Sequence, residues 1–117
     1  QMISVCEAMA LAEKLGLAHQ TLFEIASKSS GQCWSLTSYC PVPGPVPSSP
    51  ANRGYTPGFT VAMMRKDLNL AQEAAQAVGA RTPLGAGAYQ LYNLFASQAT
   101  EGLDFSANMT MIGAKAN

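Results

Sequence analysis

Charge is what this sequence has least of. Only 12% of its 117 residues are Asp, Glu, Lys or Arg, about half of the ~25% usual for a soluble domain. Seven basic residues balance seven acidic ones, and the cations form no cluster. That leaves no electrostatic footprint for DNA, RNA or an acidic membrane surface. Histidine is scarcer still. His19 stands alone beside three cysteines, which argues against a zinc site. Long apolar runs are missing too, because Glu7, Glu13 and Lys14 interrupt the stretch from Gln1 to Leu17 and exclude it as a membrane span. No basic segment followed by an apolar one marks a signal peptide. The odd set Cys6, Cys33 and Cys40 then argues for free thiols in a reducing compartment. Proline is nearly confined to one segment: six of the seven lie between Pro41 and Pro57, and only Pro83 lies elsewhere.

Apolar residues, by contrast, make up 48% of the chain. This excludes disorder for most of it, and the length fits one domain. A domain with so few charges is expected to bury part of its surface against something else. Gln1 is not an initiator Met, and the residues after it already read as helix. The expectation is a piece of a larger protein, cut inside a helix.

Spacing defines the elements. Gln1 to Leu15 reads as a helix, apolar on most faces and so expected to be buried; Gly16 suits the left-handed position that ends it, with Leu17 as the apolar residue beyond. A second helix is expected from His19 to Ser27, with Leu22, Phe23, Ile25 and Ala26 as its core face. Gln32 to Leu36 reads as a short helical turn. The proline-rich segment from Cys40 to Phe59 cannot be helix. It is either a functional loop or a segment that covers the helices. From Thr60 to Val78, apolar residues at 61, 64, 68, 71, 75 and 78 recur at helical spacing. Thr82 and Pro83 read as cap and first turn of a fourth helix to Thr100, expected to bury Leu84, Ala88, Leu91, Tyr92 and Phe95. Asp104 reads as the cap of a last short helix, Phe105 to Ile112. No strand signal competes, so the class is all-α. The sequon at Asn108 reads as chance.

With so few charges, each can be weighed. Glu7 reads as an edge position with its tip in solvent. Arg65-Lys66-Asp67 is the single charge run. Three consecutive residues span most of a helix's circumference, so at least one must lie near the core stripe. A lysine there either snorkels outward or serves a cleft as a fixed cation. Ser29-Ser30-Gly31 and Gly58-Phe59-Thr60 sit at helix ends, where free N–H groups can hold anions. His19 reads as a surface or capping residue, and Cys6 as packing. No catalytic constellation is complete.

Five segments, in order, carry a resemblance: EAMALAEKLGL (Glu7 to Leu17), SSGQCWS (Ser29 to Ser35), YCPVPG (Tyr39 to Gly44), YTPGF (Tyr55 to Phe59) and MRKDLNLAQ (Met64 to Gln72). They are similar to the C-terminal domain of the 3-hydroxyisobutyrate dehydrogenases, within the β-hydroxyacid dehydrogenases related to 6-phosphogluconate dehydrogenase. SSGQCWS followed by PVPG is the most specific part. The resemblance implies an all-α bundle over residues 1–117, preceded by a Rossmann domain that binds NAD and is absent from this chain. It implies oxidation of 3-hydroxyisobutyrate to methylmalonate semialdehyde, a step of valine breakdown. The active site would lie between the two domains and the protein would be a homo-oligomer, cytoplasmic in a bacterium or mitochondrial in a eukaryote.

The family's catalytic lysine and an Asn one turn later would both precede Gln1, the lysine by roughly ten residues, about three helical turns. This chain alone would then hold no catalytic residue and be inactive. By the same resemblance Lys66 matches a lysine that contacts the cofactor near its nicotinamide end. Phe59 matches an aromatic residue of the same cleft, and Asp67 a carboxylate near it. Trp34 would be a core or interface anchor. A sister activity, such as tartronate semialdehyde reductase, and a non-catalytic helical dimerisation module stand as the alternatives.

Overall fold

The structure, a computed structural model, describes residues 1–113; the last four residues of the expected 1–117 domain lie outside them. Among the described residues there is no strand, and a single antiparallel bridge joins Thr60 to Asp104. The class is all-α, as the spacing predicts. The chain divides into two compact units, one made of Gln1–Thr56 with Ser106–Asn117, the other of Pro57–Phe105. No helix of the described residues is long and apolar enough to cross a membrane.

The first unit is built on α1 (Met2–Lys14). Met2, Val5, Cys6, Met9, Ala10 and Ala12 are its buried face. The helix is not buried all round: Leu11 is 60% exposed and Glu7 lies in solvent. Its end follows the Gly16 signal. Gly16 has φ +78°, its N–H donates to Glu13 O and that of Leu17 to Ala12 O, which together satisfy the last free carbonyls. Next come α2 (His19–Ala26) and the short α3 (Trp34–Thr37). Leu22, Phe23 and Ala26 are half-buried, but Ile25 is 61% exposed and does not join the core.

The proline segment settles as a covering loop with a single 3-10 turn, Pro50–Arg53. Its apolar residues Cys40, Pro41, Val42, Val46, Pro50 and Ala51 are buried. Asn52 staples it: the side-chain oxygen accepts from Gly44 N at 2.9 Å and the amide nitrogen donates to Val46 O at 2.8 Å. Tyr55 closes it by donating its hydroxyl to Pro41 O at 2.8 Å. A segment that cannot pair its backbone in a helix thus pairs it through side chains. The unit ends with α6 (Met109–Ile112).

The second unit is a pair of helices, α4 (Val61–Val78) and α5 (Pro83–Phe95). Thr60 caps α4, its hydroxyl accepting from Met63 N at 3.1 Å, and Gly79 ends it at φ +70°. Val61 and Ala75 are buried, while Val78 is 80% exposed. In α5, Tyr92 and Phe95 are buried as expected, but Leu84 is 89% exposed. Thr82 is at the cap position without a capping bond; its hydroxyl donates to Gln72 Oε1 at 3.2 Å instead. The helix expected to run to Thr100 stops at Phe95. It continues as a wide turn, Ala96–Thr100, inside which Ala99 takes the left-handed region at φ 61°.

Candidate functional site

Lys66 lies on α4, so its position depends on how that helix begins. The first N–H groups of a helix lack partners inside it. Here each finds one. Val61 N donates to Leu103 O at 2.9 Å and Ala62 N to Glu101 O at 3.2 Å, and Met63 N goes to the Thr60 cap. Just upstream, Gly58 N and Phe59 N donate to one oxygen, Oδ2 of Asp104, at 3.0 and 3.2 Å. Phe105 N returns a bond to Phe59 O at 2.8 Å. Asp104 is fully buried. The N–H groups of Gly58 and Phe59 are therefore already on a carboxylate of the chain itself, and this helix end is not the anion site that its turn residues suggest.

Phe59 is half-buried and meets Phe105 edge to face, with centroids 5.8 Å apart and planes at 87°. Tyr92 donates its hydroxyl to Phe105 O at 3.1 Å. The ring of Phe59 is thus backed by a buried aromatic that is itself pinned by a helix.

Of the charge run, Arg65 is the residue that turns inward. Its Nε donates to Asn93 Oδ1 at 2.9 Å, and its guanidinium pairs with Glu101. Lys66 faces out, its side chain 69% exposed, with Nζ 3.7 Å from Asp67 Oδ1. Asp67 is 54% exposed. Lys66 lines a shallow groove of about 280 Å³ together with Ala62, Arg65, Asn69 and Tyr89. Asn69 donates to Glu73 Oε1 at 3.0 Å. Helical spacing places Asn69 on the face of Lys66, so that neighbour was open to a sequence reading. Tyr89 was not, since nothing local announces which face of α5 meets α4.

The groove presents an ammonium, a guanidinium already committed to partners, an amide and a phenol ring. Arg65 and Asn69 already donate to Asn93, Glu101 and Glu73, so the Lys66 ammonium is the exposed cation that the groove offers to an anion. The groove contains no acid–base pair, and among the described residues no cluster of His, Cys, Asp and Glu could hold a metal.

The first unit offers less. Trp34 is 53% exposed and stacks on Tyr39 at 4.8 Å and 19°, so it does not anchor the core. An apolar crevice of about 230 Å³ lies among Val5, Met9, Leu22, Cys33 and Leu36. Buried Cys6 and Cys40 and half-buried Tyr55 form a titratable group. Burial, with Cys40 next, pushes the Cys6 thiol up to about 12. Burial, with the two thiols beside it, pushes Tyr55 up to about 12, and burial raises Cys40. Thiols held protonated are poor nucleophiles, so this cluster is structural. His19 opens α2, with its Nε2 3.7 Å from Glu13.

With this geometry in place, comparison with known proteins is informative. Residues 1–112 match the family profile described as NAD-binding of NADP-dependent 3-hydroxyisobutyrate dehydrogenase. The chain belongs to this family. A probable 3-hydroxyisobutyrate dehydrogenase of Mycobacterium tuberculosis is 49% identical over 117 residues, which is all of this chain and 40% of that protein. An NAD-dependent L-serine dehydrogenase of Pseudomonas aeruginosa is 48% identical over 105 residues, 90% of this chain and 35% of that protein. A solved structure of the M. tuberculosis 3-hydroxyisobutyrate dehydrogenase with L-serine superposes with a TM-score of 0.93 at 49% identity. The match covers 97% of this chain and 38% of that one. The chain spans between 30% and 40% of the length of these curated relatives.

Proposed function

We propose that this chain is the all-α C-terminal domain, residues 1–117, of an NAD-dependent dehydrogenase that oxidises 3-hydroxyisobutyrate to methylmalonate semialdehyde. It would be of the type found in 6-phosphogluconate dehydrogenase and would work beside an N-terminal Rossmann domain of the same protein. The observation that carries this is the family match across 1–112. The groove at Lys66 supports it, because it offers an exposed cation at the position for which the sequence resemblance implies a cofactor contact.

In this reading a nicotinamide cofactor, when bound, would supply the hydride acceptor for C3 of the substrate, and a lysine upstream of Gln1 would take the proton of the C3 hydroxyl. This chain's own residues bind and orient. Lys66 supplies the charge that holds the anionic cofactor, Phe59 a rigid ring at the cleft wall, and Asp67 the carboxylate that keeps the Lys66 ammonium in place. The exposed Leu84 and Val78 of the second unit and, taken separately, Leu15 of the first support assembly as a homo-oligomer, since a further surface would take these large apolar side chains out of water.

A second substrate is favoured by the L-serine named for two of these relatives. L-Serine and 3-hydroxyisobutyrate share the 3-hydroxypropanoate skeleton and differ at C2, ammonium against methyl. The test is initial-rate kinetics of the parent protein with 3-hydroxyisobutyrate, L-serine and glycerate, each with NAD and NADP. The reading expects the highest kcat/KM for 3-hydroxyisobutyrate with NAD and no turnover by residues 1–117 alone. A lead for L-serine or glycerate makes it a sister enzyme. No turnover of any 3-hydroxy acid leaves a helical dimerisation module.

A further inference from the structure

We propose that Asp104 is a positioning residue for the groove at Lys66, acting through the two N–H groups it holds. The proposal rests on the reading of that groove as a cofactor contact.

The argument begins with what Asp104 does not do. It is fully buried and does not line the groove, so it cannot touch a ligand there. A carboxylate taken from water is costly unless well bonded. Its Oδ2 accepts from both Gly58 N and Phe59 N, and bonds of that kind to an ionised acceptor are about twice as strong as neutral ones. These are also the two N–H groups directly before the Thr60 cap.

Their location decides what they control. Gly58 is exposed and Phe59 half-buried, so without the carboxylate this short stretch would have few internal restraints. The bridge of Thr60 to Asp104 and the bonds of Val61 to Leu103 and Ala62 to Glu101 continue the same seam. Three residues, Glu101, Leu103 and Asp104, thereby carry the entry of α4. Lys66 is the sixth residue of that helix. A helix is stiff over so short a span, so the seam that sets Val61 also sets the backbone of Lys66. Phe59 is set more directly, through its own N–H. One buried oxygen therefore fixes both the ring and, through one and a half turns, the cation.

The first arm of the test uses amide hydrogen exchange on the unaltered protein. Gly58 and Phe59 amides are expected to be protected. Exchange of both at the free-peptide rate overturns the proposal whether or not any variant folds. The second arm uses the parent enzyme. Asp104→Ala is expected to raise KM for the cofactor about tenfold, the scale of one charged hydrogen bond, with kcat changed far less. Asp104→Asn keeps an oxygen that can accept from both N–H groups, and is expected to restore KM to within about twofold of the unaltered enzyme. Equal damage from Asn and Ala, or a fall in kcat with KM unchanged, overturns the positioning role. Lys66→Ala separates the two readings. If it leaves the cofactor KM unchanged, the groove is not the cofactor contact. If it raises KM while folded Asp104→Ala does not, the groove stands and the role of Asp104 falls.

Discussion

Replacing Lys66 by alanine in the parent protein removes a charge and little else. Its ammonium has one ion-pair partner, Asp67 at 3.7 Å, and both side chains are more than half exposed. Such pairs contribute below about 1 kcal/mol, so the melting temperature should stay within about 2 °C. Cofactor binding should respond far more. A cation about 4 Å from a ligand charge is worth about 1 kcal/mol in water and about 4 kcal/mol at a partly covered surface. Taking about 2 kcal/mol between those limits gives a loss of about thirtyfold in affinity. Fluorescence titration of reduced cofactor measures it. Salt supplies an internal check, because raising ionic strength weakens an exposed charge contact. The affinity of the unaltered protein should fall with salt more steeply than that of the variant. An unchanged dissociation constant, or equal salt slopes, refutes the role of Lys66 in the groove.

Three further outcomes follow from the packing. Cys6 and Tyr55 are held protonated up to about 12, against 9.0 and 10.0 for the free groups. The unfolded chain gives up these protons first, so their contribution to stability is complete below pH 9 and is lost as pH rises from 9 towards 12; urea midpoints across that window should fall, and a flat profile contradicts the burial. Native protein should react rapidly with a thiol reagent at the half-buried Cys33 and not at buried Cys6 and Cys40, with three thiols titrated in denaturant. Ala99 sits at φ 61°, which costs a residue with a Cβ about 1 kcal/mol, so Ala99→Gly should stabilise by about 0.5–1 kcal/mol in thermal melts.

What the sequence disclosed depended on how local the cause was. The three-four spacing along 61–78 and the Gly16-Leu17 pair describe one helix and its immediate end, and both were legible. Thr60 was legible as a helix start for the same reason. Periodicity also marks an apolar face, but not whether the chain covers it. Leu84, Val78 and Ile25 lie at apolar positions of helices and remain largely in solvent. Thr82 had the right type for a cap, but its hydroxyl went to Gln72, ten residues back in sequence and one helix away in space. The run Arg65-Lys66-Asp67 announced that one member must face inward; helix phase against Asn93 and Glu101 decided that it was Arg65. The bonds from Gly58 and Phe59 to Asp104 cross 46 and 45 positions, and no local pattern encodes them. Lys66, Phe59 and Asp67 became candidates through family resemblance, since composition and spacing mark a charged run and a turn but not the ligand they serve.

The most direct test of the account is the coding sequence immediately upstream of Gln1. The account predicts a Gly-rich strand–turn–helix near its start. It also predicts a lysine roughly ten residues before Gln1, about three helical turns, with an Asn one turn after that lysine. An unrelated segment there, or a start codon directly before Gln1, would contradict it and leave the groove at Lys66 without a catalytic half to serve.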